Sequence, residues 1–208
     1  MNAKAKTVNL ITFARLPLIF VWLALAVARD TTGSTACAVF ALAAIAAIGI
    51  SDMFDGYFAR KWHVVSQFGK MADPLMDKLF YAVSLPALAY FAARRGDGSA
   101  HALMLLLFAV FYIVRDLWVT FMRSLGAAQG AEVAAMMLGK VRTALTFPAV
   151  GFIYLYLVFS HALSPALSKA ALVACFATEA GMTALNVVSF VSYTRAYMPY
   201  IKKTANVS

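Results

Sequence analysis

Charge is scarce in this sequence, and negative charge is scarcest. Only 13% of the 208 residues are charged, and nine of them are Asp or Glu. A water-soluble domain carries roughly a quarter charged residues, so the shortage excludes an ordinary globular core in water. Cysteine is almost absent. Cys37 and Cys175 stand alone in apolar stretches without CxxC or Cys/His spacing. That excludes a zinc site or a disulfide framework and leaves two small buried hydrophobes. His63, His101 and His161 show no ligand spacing and read as interfacial or loop residues, while Asp97, Glu132 and Glu179 suggest no role. No internal repeat or low-complexity tract is present.

What the chain has in excess is apolar: 63% of its residues are hydrophobic and the mean hydropathy is +0.79. A membrane helix needs about 20 mostly apolar residues. Six stretches reach that length, at 8–28, 35–58, 72–93, 101–124, 138–160 and 167–193. The expected fold is therefore all-α, a polytopic membrane protein with six transmembrane helices in a single domain over residues 1–208. The first stretch follows Lys4 and Lys6. It outruns the roughly 7–15 apolar residues of a signal peptide, so it reads as a retained helix.

Eighteen Lys and Arg give a net charge of +9. They stand at the ends of the apolar stretches and form no stripe or patch. This fits anchoring beside anionic membrane lipid and argues against nucleic acid as a partner. Threaded through six spans, Lys4, Lys6, Arg15, Arg60, Lys61, Lys70, Lys78, Arg115, Arg123, Lys140, Arg142, Arg195, Lys202 and Lys203 fall at one face. Only Arg29, Arg94, Arg95 and Lys169 fall at the other. The positive-inside rule then predicts both termini, and the segment between the second and third helices, in the cytoplasm.

Four of the nine acids crowd into 26 positions: Asp52, Asp55, Asp73 and Asp77. A carboxylate in hydrocarbon costs at least about 2.5 kcal/mol on insertion scales, so such residues normally pair or serve a function. Asp52 and Asp55 are three apart and Asp73 and Asp77 four apart, which places each pair on one face of its helix. A short connection makes the two helices antiparallel neighbours whose acidic faces can meet. Carboxylates without His or Cys suit hard cations, Mg²⁺ or Mn²⁺, and a pair of such ions clamps the attacking and leaving oxygens of phosphoryl transfer. Gly56 and Ala59 leave room on the acidic face for a base or ribose. Gly69 lets backbone approach a phosphate or sugar, and Arg60 can pair with a diphosphate or position an Asp. Transporters also carry intramembrane acids, but near the midplane on broken helices. These acids gather at one edge.

Asp52-Met53-Phe54-Asp55-Gly56-Tyr57-Phe58-Ala59-Arg60, followed by Gly69, Asp73 and Asp77, reproduces D-x2-D-G-x2-A-R-x8-G-x3-D-x3-D. This closely resembles the signature of the CDP-alcohol phosphotransferase family. The resemblance implies a six-helix membrane fold, usually a homodimer, with two Mg²⁺ or Mn²⁺ ions held by Asp52, Asp55, Asp73 and Asp77. It also implies cleavage of a CDP-alcohol to release CMP. Asp77, the last acid of the pattern, is the candidate general base, with activation of the acceptor hydroxyl by the metal as the alternative. The donor nucleotide would be bound by Asn9, Thr12, Asp52, Gly56, Ala59, Arg60 and Gly69.

The rest of the chain resembles the bacterial phosphatidylglycerophosphate synthases. The resemblance is carried by Asn9, Thr12 and Arg15, by Phe68-Gly69-Lys70, by Arg115-Asp116 with Arg123, and by Leu138-Gly139-Lys140-Val141-Arg142-Thr143. It implies CDP-diacylglycerol as donor and sn-glycerol 3-phosphate as acceptor, at the cytoplasmic face of the cell's inner membrane. Relatives that use phosphatidylglycerol, serine or inositol phosphate share the core signature. An acceptor bearing a phosphate needs cations, and Arg115, Arg123, Lys140 and Arg142 are the candidates.

Overall fold

The structure is a computed structural model that describes residues 3–62, 64, 67–95, 99–130 and 137–205. His63, Asp97 and Glu132 lie outside the described residues, as do several side chains within the helices, including those of Ala59, Lys70, Asp73 and Lys140. The described elements are α1 (Ala3–Thr32), α2 (Thr35–Lys61), α3 (Gln67–Arg95), α4 (Ser99–Ala128), α5 (Met137–Phe159) and α6 (Pro165–Ala205), with a short 3-10 turn at Ser160–Ala162. Among the described residues, six helices are long and apolar enough to cross a membrane. The protein is an all-α, multi-pass membrane protein, as its hydropathy predicts.

Five of the described helices outrun their predicted apolar windows, α6 most of all, which continues from the expected end at 193 to Ala205, while α5 keeps the expected length. A helix satisfies its own backbone, so passing from hydrocarbon into the polar headgroups does not end it. Pro17, Pro74, Pro86, Pro148 and Pro199 all lie inside helices. Membrane helices tolerate such prolines because neighbouring groups satisfy the freed carbonyls.

The chain divides into two compact units, Met1–Phe91 and Ala92–Ser208. In the first, α1 and α2 pack along one another. Their hairpin is set by two residues. Gly33 adopts φ +73° and its amide bonds the Arg29 carbonyl at 2.9 Å, which ends α1 in a left-handed cap. Ser34 is extended, and its hydroxyl accepts from the Cys37 amide at 3.4 Å, starting α2. Ala38 and Ala41 of α2 and Ile19 and Trp22 of α1 are buried, with the Trp22 ring 6.5 Å from that of Phe80 on α3. A Cβ at Gly33 would meet only Arg29 Nη1, at an ordinary 3.7 Å. Gly33→Ala therefore carries a conformational penalty alone, about 1 kcal/mol. It should appear as a small drop in Tm in detergent micelles with activity unchanged.

In the second unit α4 and α5 pack against α6. Leu105, Phe108 and Tyr112 of α4, Val150 and Ile153 of α5, and Cys175 of α6 fill its interior. The outer faces carry large apolar side chains such as Leu117, Phe121 and Val173, which are surfaces for lipid.

This interior also holds an ionisable pair. His101 is 1% exposed and Glu179 is fully buried, with Nε2 and Oε1 2.9 Å apart. The expectation that His101 is interfacial is therefore corrected, and Glu179, to which the sequence assigned nothing, is its partner. The Tyr156 ring lies edge-on to His101, and the Arg95 guanidinium caps the Tyr156 face while donating to the Tyr156 carbonyl and the Ser160 hydroxyl.

Candidate active site

In the first unit, α1 presents Asn9, Thr12 and Arg15 at successive intervals of three, and all three are buried. An arginine buried in an apolar helix is tolerated only beside opposite charge. The hairpin supplies it. Asp52 lies eighteen residues after Ser34 and Arg15 eighteen before Gly33, so antiparallel pairing brings them side by side.

Arg15 Nη1 donates to Asp52 Oδ1 at 2.7 Å and to Asp77 Oδ1 at 3.2 Å, while Nη2 donates to Asp55 Oδ2. The Thr12 hydroxyl donates to the same Asp55 oxygen at 2.9 Å, and also reaches the Val8 carbonyl at 3.3 Å. Ser51 of α2 ties back to the Ile11 carbonyl at 3.1 Å, which fixes the register of the two helices. One guanidinium thus gathers carboxylates from α2 and α3.

Exposure is graded across the group. The Asp55 side chain is 6% exposed, whereas those of Asp52 and Asp77 are 49% and 37% exposed. Asp55 anchors the cluster and the other two stand at its open side. Asp73 lies one turn before Asp77 on α3, with its side chain outside the described residues.

Beside these acids, the exposed Arg60 lays its guanidinium over the backbone of Gly56, with Nη1 3.6 Å from where a Cβ would sit. The small residue predicted to leave room for a planar group thus has a planar cation resting on it. Gly69 is half-buried near the start of α3. The side chain of Ala59 is outside the described residues.

The donor set suits a hard divalent cation: carboxylate oxygens only, already converging on a positive charge. Among the described residues, no three of His, Cys, Asp and Glu form a metal-holding group by themselves. Arg15 joins the carboxylates.

The second unit holds a cationic cluster. Arg115 and Arg142 both donate to Asp116 Oδ1, at 3.0 and 2.5 Å. Arg142 also donates to Asn186 Oδ1 at 3.0 Å, and its Cζ lies 4.1 Å from the centre of the Tyr112 ring. Arg115 also donates to the Ser189 hydroxyl, with its Cζ 5.1 Å from the centre of the Tyr193 ring. Two arginines against one aspartate leave the cluster positive, and aromatic faces with amide and hydroxyl partners make burial of the charges tolerable. Gly139 sits in a tight place: a Cβ there would lie 3.1 Å from the Tyr193 hydroxyl, which would have to give by a few tenths of an ångström, and an ordinary 3.5 Å from Arg115 Nη2.

Of the four predicted acceptor-site cations, the structure brings Arg115 and Arg142 together. Arg123 is exposed and hydrogen-bonds Tyr197. The side chain of Lys140 is outside the described residues.

Sequence reasoning assigned no site role to Arg15, Asp116, Asn186, Ser189 or Tyr193. The signals were present. Arg15 is a charge well inside an apolar helix. Asn186, Ser189 and Tyr193 form a polar stripe at helical spacing in α6.

Comparison with known proteins bears on both clusters. A family model described as CDP-alcohol phosphatidyltransferase matches residues 6–179. The CDP-diacylglycerol--glycerol-3-phosphate 3-phosphatidyltransferase of Bacillus subtilis (strain 168) is 35% identical over 156 residues, covering 71% of this chain and 76% of the relative. The protein of the same name from Mycoplasma genitalium is 40% identical over 111 residues, 53% of this chain and 42% of the relative, so the match spans less than half of that longer protein. A CMP-forming cardiolipin synthase of Streptomyces coelicolor is 36% identical over 85 residues, 39% of this chain and 38% of the relative.

Proposed function

The chain belongs to the CDP-alcohol phosphatidyltransferase family, and from that premise we propose that it transfers a phosphatidyl group from CDP-diacylglycerol to sn-glycerol 3-phosphate, giving phosphatidylglycerophosphate and CMP. The observation that carries the reading is the convergence of Asp52, Asp55 and Asp77, from two apolar helices, on one cation. Relatives with this named activity support the choice of substrates. The match from residue 6 to 179 runs through both units, which favours one catalytic domain over residues 1–208.

The family is generally dependent on divalent metal, and this chain's share would be two Mg²⁺ or Mn²⁺ ions on Asp52, Asp55, Asp73 and Asp77. Bound there, the ions would offset the charge that builds on the departing CMP. Asn9, Gly56, Ala59, Arg60 and Gly69 would receive the donor nucleotide, with Thr12 contributing through Asp55, which it orients. Arg115 and Arg142, with Arg123 and Lys140, would take the acceptor phosphate. Their fork-shaped donors match phosphate oxygens.

The acceptor hydroxyl oxygen attacks the phosphorus that bears the diacylglycerol. The bond from that phosphorus to the bridging oxygen breaks, and CMP leaves with the electron pair. The hydroxyl proton passes to Asp77, whose partly exposed carboxylate is held by Arg15 on the open side of the cluster. The lipid donor arrives sideways from the bilayer and the polar acceptor from the cytoplasm. This fits an inner-membrane protein whose site and termini face the cytoplasm, working as a homodimer.

CMP release tests the proposal. Purified protein with CDP-diacylglycerol and Mg²⁺ should turn over with glycerol 3-phosphate, and at least about tenfold more slowly with serine, which has no phosphate for the arginines to hold. The Streptomyces relative makes phosphatidylglycerol the acceptor to offer beside it. Turnover with phosphatidylglycerol or serine but not glycerol 3-phosphate would overturn the assignment.

A further inference from the structure

The role of Arg15 goes beyond topology. It is 2% exposed, sits on α1, and binds the acids of two other helices through both terminal nitrogens. The oxygens it occupies, Oδ1 of Asp52, Oδ2 of Asp55 and Oδ1 of Asp77, are ones that a divalent cation also seeks. A guanidinium and a dication cannot hold the same oxygens at full strength. Their repulsion grows with the product of their charges and is weakly screened in a buried site. The carboxylates, in turn, cannot crowd together without some cation among them.

We propose that Arg15 is the resident counter-ion of this cluster, yielding these oxygens to divalent cations and turning its fork to the diphosphate of the nucleotide donor. The idea rests on the donor assignment above. A buried arginine released from carboxylates needs another anion, and a diphosphate offers planar-fork partners of the right charge. Metal and nucleotide binding are then coupled through one side chain. Each ligand strengthens the other by the same factor, as linkage requires.

The test measures Mn²⁺ binding to the full-length protein in detergent micelles. The electron paramagnetic resonance signal of free Mn²⁺ is read with and without CDP, after correction for Mn²⁺ that CDP binds in buffer. No turnover occurs, because no lipid donor is present. In the wild type, CDP should tighten Mn²⁺ binding about tenfold. In Arg15→Gln, Mn²⁺ alone should bind about tenfold tighter than in the wild type, and CDP should add no more than about twofold.

Arg15→Lys keeps the charge but loses the three-way fork, so it should fall between the two. It also decides the matter should the Gln variant not fold. Unchanged or weaker Mn²⁺ binding in the folded variants, or an undiminished effect of CDP, overturns the proposal. Asp55→Asn separates this from the site assignment. If that variant binds Mn²⁺ like the wild type, the carboxylate metal site itself is wrong. If it loses Mn²⁺ while both Arg15 variants match the wild type, only the counter-ion role fails.

Discussion

Asp55→Asn should lower CMP release about a thousandfold, the scale seen when one preorganised electrostatic contact to a reacting group is removed. Asp55 is the most buried of the three described acids and takes hydrogen bonds from both Thr12 and Arg15 on one oxygen. A carboxamide has the same shape but no charge, so it is a much weaker ligand for a hard cation. The cluster also loses the carboxylate through which α1 orients α2. Asp52 is half-exposed and Asp77 nearly so, so their Asn variants disturb the packing less while removing the same charge. Membrane insertion should be unaffected, because neutralising a carboxylate makes the helix more apolar. The measurement is CMP release from CDP-diacylglycerol with glycerol 3-phosphate in mixed micelles. A rate within about tenfold of the wild type would remove these carboxylates from the chemistry.

The largest effect on stability is expected far from those acids in sequence. His101→Leu leaves the buried Glu179 carboxyl without its hydrogen-bond partner, and should destabilise the protein by about 2 kcal/mol, the cost of an unsatisfied buried polar group. Each partner has a further buried polar atom, His101 Nδ1 and Glu179 Oε2, that makes no hydrogen bond among the described residues, where the pair meets through one 2.9 Å contact. The double variant His101→Leu with Glu179→Leu should recover most of the loss, since replacing both partners of a buried hydrogen bond by apolar groups is often nearly neutral. Unfolding followed by circular dichroism in micelles gives the comparison. A single variant as stable as the wild type would show that the contact contributes nothing, and a double variant worse than either single would assign the role to shape.

The helices were legible because hydrocarbon imposes a length, and a run of apolar residues can be counted. Their true ends were not, since leaving the hydrocarbon does not break a hydrogen-bonded helix. The acids were legible as a group because spacings of three and four put residues on one face whatever the helix packs against. Arg15 read from the sequence as a topology marker. Its role depends on the register of α1 against α2, a tertiary property that the spacing of residues along one helix does not carry.

The amino-acid sequence by itself determined the solvent of this protein, the number of helices and the faces on which its carboxylates lie, because these follow from local periodicity and composition. Only the tertiary structure decided which ionisable groups become partners: Arg15 with three acids, Arg115 and Arg142 with Asp116, His101 with Glu179. An ion in hydrocarbon is stable only within a few ångströms of its counter-charge. For Arg15, Arg142 and His101 those distances run between residues 26 to 78 positions apart in the chain.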